Sequence, residues 1–167
     1  MIDPCKAILR NGALLVIPVL AISIGLWEFL PEVYGPKEFS REIPTWLALA
    51  ENLFRVIIFS VPAILFFSND EIENKWGWFL YTFGMAVYIC SYLFQILYPN
   101  SSWSMSYLGF SAPAWTTIFW LYGIGLICSH SWLLSSWHRA IYIVPATLFV
   151  LLHMAHTTLV YVRVLNQ

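Results

Sequence analysis

Five runs of this chain, residues 13–30, 46–67, 76–98, 114–134 and 141–164, go 18 to 24 residues with few or no charges. About 20 predominantly apolar helical residues cross the hydrocarbon core of a bilayer, so each run is a candidate crossing. The third and fourth contain no Asp, Glu, Lys or Arg. Barrel strands alternate polar and apolar residues over about 10 positions, whereas these runs are continuously apolar. The expectation is an all-α integral membrane protein. It is a five-transmembrane-helix bundle, N-terminus in and C-terminus out, forming a single transmembrane domain over 1–167.

Composition supports that class. The chain is 60% hydrophobic and 10% charged, against about 45–50% and about 25% in soluble domains. Eight Lys+Arg against nine Asp+Glu leave no basic footprint for nucleic acid. No P-loop or GxGxxG is present, so no nucleotide site is expected. Cys5, Cys90 and Cys128 form no CxxC pair, which supports neither a zinc knuckle nor a redox motif. No metal site is assigned, and no cofactor is indicated.

Loops of 15, 8, 15 and 6 residues separate the runs. Lys6, Arg10, Lys75 and Arg139 fall on one side, Lys37, Arg41 and Arg163 on the other. The positive-inside rule then places the N-terminus in the cytoplasm by a margin of one. Asn69-Asp70-Glu71 reads as an acidic turn, and Asn100-Ser101-Ser102 as a glycosylation acceptor pattern. The first run lacks an A-x-A cleavage site and is expected to be retained. Pro18, Pro62 and Pro145 are expected to kink their helices, with neighbours satisfying the freed carbonyls. Trp27, Trp46, Trp76, Trp78, Trp115, Trp132 and Trp137 lie near run ends, where interfacial belts form.

Consecutive crossings alternate in direction, so position within a run gives depth. Glu51 and Arg55 are the sixth and tenth residues of the second run, roughly 8 and 14 Å below the surface bearing the first and third loops. His153 falls near the middle of the fifth run, and His156 lies roughly 4.5 Å nearer that same surface. Periodicity aligns Glu51, Asn52 and Arg55 on one face, His153, His156 and Thr157 on another, and Tyr88, Ser91, Tyr92 and Gln95 on a third. Buried polar stripes turn toward a bundle interior or a water-filled cavity. A polar cavity is therefore expected in this half, walled by the second, third and fifth runs. The fourth run, with Trp120 and Tyr122 as lining residues, and the uncharged third loop, residues 99–113, are candidates to close it. Gly123 and Gly125 suit close approach of a helix or a ligand.

Glu51 precedes Arg55 by four residues, the favourable order for a helical ion pair. The 13 Leu, Ile, Phe and Val residues of the second run offset the insertion cost of two charges, at about −0.3 to −0.6 kcal/mol each against about +2.5 to +3.5. Intramembrane ions are functional candidates. The reading that follows is a membrane module that binds or transports an amphipathic small molecule, lipid or isoprenoid-like, with Arg55 and the span-three hydroxyls at its polar end. One alternative is a membrane enzyme acting on lipid through acid–base or metal chemistry at His153, His156 and Glu51. A second is a non-catalytic subunit, packed as a homo-oligomer or against partner helices with Glu51–Arg55 as glue.

Overall fold

Pro44 sits in extended backbone and starts the helix that carries Glu51, since proline at a helix start forfeits no internal hydrogen bond. Throughout the chain, punctuation of this kind divides apolar sequence into helices. The computed structural model describes residues 9–67, 72–131, 133 and 138–165, and these are mostly helical. The long elements are α1 (Ala13–Trp27), α3 (Thr45–Ser60), α4 (Ile72–Leu97), α7 (Thr117–Ile127) and α8 (Ala140–Leu165). Three single turns accompany them: α2 (Pro36–Phe39) in the first loop, then α5 (Tyr107–Phe110) and α6 (Ala112–Trp115) leading into α7. Cys5, Lys6, Asn69-Asp70-Glu71, Trp132 and Trp137 lie outside the described residues.

Three stretches are long and apolar enough to cross a membrane: Thr45–Ile64, Lys75–Leu97 and Ala140–Val164. Ala13–Trp27 and Ala112–Ile127 are apolar but shorter. At about 1.5 Å per residue the 15 residues of α1 reach about 22 Å, short of a hydrocarbon core of about 30 Å.

The second and fourth runs do not end as helices. Pro62 terminates α3 instead of kinking it: the chain tightens into a 3-10 turn at Val61–Ile64 and then extends as β1 (Leu65–Phe67). The fourth run likewise leaves α7 for β2 (Cys128–Ser131), which pairs antiparallel with β1. The start of α1 joins this ribbon, with Gly12 N–H donating to Leu65 O at 2.8 Å and Asn11 Nδ2 to Ala63 O at 2.8 Å. Pro62 has no N–H for the Ile58 carbonyl, and the Tyr142 hydroxyl of α8 donates to that oxygen at 3.2 Å. Pro18 and Pro145, in contrast, lie within continuous helices.

Helix α4 packs most extensively against α7, and α3 against α8. Glycine sets the first contact. A Cβ on Gly84 would lie 2.5 Å from the Trp120 backbone nitrogen, and one on Gly123 would lie 2.6 Å from the Tyr81 backbone. The two helices therefore touch main chain to main chain, and Trp120 is fixed beside α4. Gly125 meets Ile143 and Tyr142, so both α7 glycines serve helix packing. The core runs through Ile58, Leu65, Leu121, Ile124, Ile127 and Tyr142, all fully buried.

Candidate functional site

A cavity of about 520 Å³ opens in the half of the bundle bearing the first loop. All five long helices contribute to it, α1 through Val19, Ser23 and Trp27, and the first loop roofs it with Tyr34, Phe39 and Ile43. The third loop contributes Pro113 to the lining, and most of it packs along α8, where Tyr107 meets Thr158 at 2.9 Å and the Tyr161 hydroxyl donates to Met105 O at 3.2 Å.

Helix α8 ties down the roof. His156 Nε2 lies 2.9 Å from Phe39 O, and the Arg163 guanidinium, two turns further along the same face, donates to the Glu38 and Arg41 carbonyls. These are carbonyls at and just beyond the end of α2, where a helix runs out of internal donors, although Glu38 O also accepts from Arg41 N–H at 3.3 Å. Between them and the next helix, Glu42 adopts φ 57°, a left-handed conformation uncommon for a residue with a Cβ. The Tyr34 hydroxyl donates to Phe110 O at 2.8 Å. Burial, together with nearby Tyr92, pushes this phenol well above its ordinary pKa, so it remains a neutral donor.

The polar end of the cavity centres on one carboxylate. Glu51 is 2% exposed. Its Oε1 accepts from Arg55 Nη2 and lies 3.0 Å from His153 Nδ1, while Oε2 lies 2.6 Å from His156 Nδ1. Arg55 Nη1 also donates to Asn52 Oδ1 at 2.9 Å. Aromatic rings hold these groups in place. Phe39 stacks on His156 at 4.5 Å, Phe149 stacks on His153 at 5.4 Å, and Arg55 Cζ lies 5.8 Å from the Phe149 centroid, within cation–π range. Among the described residues no group of three or more His, Cys, Asp or Glu side chains is arranged to hold a metal ion.

The opposite wall carries a hydroxyl chain whose direction follows from counting hydrogens. Ser23 donates its only hydroxyl proton to Val19 O at 2.8 Å. It must therefore accept from Tyr88, 2.9 Å away, and Tyr88 must accept from Tyr92 at 3.1 Å. The Tyr92 oxygen is left with a lone pair beside the cavity. Trp120 lies in the wall as well, 2% exposed, with an indole N–H that has no acceptor among the described residues.

Of the twelve positions singled out in the sequence, the cavity brings together Glu51, Asn52, Arg55, Tyr88, Tyr92, Trp120, His153 and His156. The other four are absent from its lining, each engaged locally. Ser91 donates to Tyr88 O at 2.7 Å, Gln95 to Gly109 O at 2.7 Å and Thr157 to His153 O at 2.8 Å, while Tyr122 pairs with Thr147 at 2.7 Å. Sequence reasoning missed Ser23, Tyr34, Phe39 and Phe149, and it assigned Trp27 to an interfacial belt. Ser23 was the one detectable omission, as a hydroxyl deep in an otherwise apolar first run. His130 lies in the ribbon at the far end, 2.7 Å from Ser129 Oγ. Neither a family model, nor a curated protein, nor a solved structure matches the chain.

Proposed function

We propose that this chain is a five-crossing membrane protein, N-terminus in and C-terminus out, whose cavity binds or transports an amphipathic small molecule, lipid or isoprenoid-like. Three helices of sufficient length and apolarity support the membrane setting. So does their outward surface, with Leu49, Leu53 and Val56 on α3, Phe79 and Phe83 on α4, and Leu151 on α8 all exposed. The shorter α7 completes its crossing through β2, and the start of α1 is joined to the same ribbon through Asn11 and Gly12. An odd number of crossings puts the two termini on opposite sides.

The observation that carries the ligand reading is the division of the cavity wall. Arg55, Glu51 and His153 stand at one side, with Val19, Leu20, Phe59 and Phe149 supplying apolar surface close by. At about 520 Å³ the space falls within the roughly 300–1,000 Å³ typical of small-molecule pockets. Native mass spectrometry of the gently solubilised protein tests this. A retained or re-acquired amphiphile is expected, and it should be lost in Ser23→Phe, which fills the cavity from α1. A folded wild-type protein that neither retains nor takes up any amphiphile would overturn the reading.

A second reading, enzymatic, is favoured by one feature. Glu51 holds the Nδ1 side of His153, a residue of the cavity lining, and leaves Nε2 without a partner among the described residues, as a carboxylate orients a general base. Incubation with the co-purifying amphiphile should then change its mass in wild type but not in His153→Ala. An unchanged mass in both leaves binding as the function.

A further inference from the structure

The hydrogen-bond partners of the buried cluster fix its charge, whichever atom holds each proton. Phe39 O can only accept, so His156 Nε2 carries a hydrogen. The 2.6 Å contact between His156 Nδ1 and Glu51 Oε2 then contains one shared proton. Drawn as carboxylate and imidazolium, or as carboxylic acid and imidazole, the pair sums to zero. Glu51 Oε1 accepts from Arg55 and from the Nδ1–H of His153, the tautomer of a neutral imidazole that carries its lone pair on Nε2. Glu51, His156 and Arg55 together then carry one net positive charge. Among the described residues Glu51 is the only carboxylate in the cavity lining, and Tyr34, Tyr88 and Tyr92 across the cavity add none.

Four features remain unspent. Arg55 has five N–H donors, of which the bonds to Glu51 and Asn52 use two. His153 Nε2 has no hydrogen bond to any described residue. The buried Trp120 N–H has no acceptor among the described residues, and buried polar groups of this kind are normally satisfied. The Tyr92 oxygen, a donor to Tyr88, keeps a lone pair at the cavity wall. A headgroup with one negative charge and several acceptor oxygens answers the first two together. At about 520 Å³ the cavity lies in the range of about 300–1,000 Å³ that takes small molecules, the size class of a single-chain amphiphile.

We propose that the ligand is a single-chain amphipathic acid, carboxylic or phosphoric, held as its anion by Arg55 while one proton is carried on His153 Nε2. The proton comes from the acid itself, or from water when the anion binds, and no other bond is made or broken. Protonation turns the lone pair that would face the anion into a second donor, anchored from behind by Glu51. The charged groups around His153 are Glu51 and Arg55 from α3 and His156 on its own helix, while the roof presents only the Phe39 ring. This deepens the ligand reading above and rests on it.

The test uses full-length protein held in amphipol, titrated calorimetrically at pH 8 with laurate, dodecyl phosphate, dodecanol and dodecylamine. Laurate or dodecyl phosphate should bind at least tenfold more tightly than dodecanol or dodecylamine, and the tighter of the two names the headgroup. Repeating the titration in buffers of different ionisation enthalpy should show uptake of close to one proton per anion, lost in His153→Gln. Arg55→Gln should weaken anion binding at least tenfold and leave dodecanol unaffected, and Arg55→Lys should restore most of it. Equal binding of dodecanol and laurate, or anion binding without proton uptake, overturns the proposal while the cavity remains a ligand site. If no probe binds, the ligand reading itself fails.

Discussion

The two ends of this bundle are built from the same apolar helices and treat their polar groups in opposite ways. At the ribbon end, polar groups are matched to freed main-chain partners: Tyr142 caps the carbonyl that Pro62 leaves, and Asn11 and Gly12 close on Ala63 and Leu65. Around them Ile58, Leu65, Ile127 and Cys128 are fully buried. At the roofed end, a carboxylate, two imidazoles and a guanidinium gather round an open volume, and donors remain after every internal bond is counted. Among the described residues, the ribbon end bonds Tyr142, Asn11 and Gly12 to its own main chain, whereas the roofed end keeps Arg55 donors that no described residue uses.

Substitutions break this contrast at different depths. The largest effect is expected from Glu51→Leu, which strips three donors of their shared acceptor. Losing one partner of a buried charged network costs about 3–5 kcal/mol, read as a large fall in unfolding temperature in detergent. Tyr142→Phe attacks the ribbon end and leaves the buried Ile58 carbonyl without its side-chain donor. The expected loss is about 1–3 kcal/mol, with laurate affinity unchanged by calorimetry. If Tyr142→Phe instead altered affinity, the two ends would be coupled and the contrast would fail. The smallest effect belongs to Tyr122→Phe, since Thr147 keeps its own bond to Ile143 O at 2.8 Å. About 0.5–1.5 kcal/mol and unaltered binding are expected, consistent with Tyr122 lying off the cavity.

How much of this the sequence displays depends on the range of the interaction. Helices announce themselves by long apolar runs, and the Glu51, Arg55, His153 and His156 cluster follows from depth arithmetic, because a buried charge must face the interior. The ribbon does not announce itself. Leu65–Phe67 and, apart from His130, Cys128–Ser131 are apolar or small residues that suit helix or strand, and their pairing partner lies more than sixty positions away. Ser91 and Thr157 share the periodicity of the lining residues, yet a hydroxyl on a helix can turn back to a carbonyl one turn earlier. Periodicity gives the face, while the rotamer decides whether that face has anything left to offer. The roof residues Tyr34 and Phe39 carry no periodic signal, since they reach the site through a loop.

The spacing of the cluster along the chain also orders its assembly. His153 and His156 follow Glu51 by 102 and 105 residues, which at about 5–20 residues per second of synthesis is a delay of roughly 5–20 seconds. Throughout that interval the acid has a single neighbour of opposite sign, Arg55, one turn away on its own helix. The guanidinium thus acts first as an escort for the nascent segment, and it shares the carboxylate with the imidazoles once they arrive.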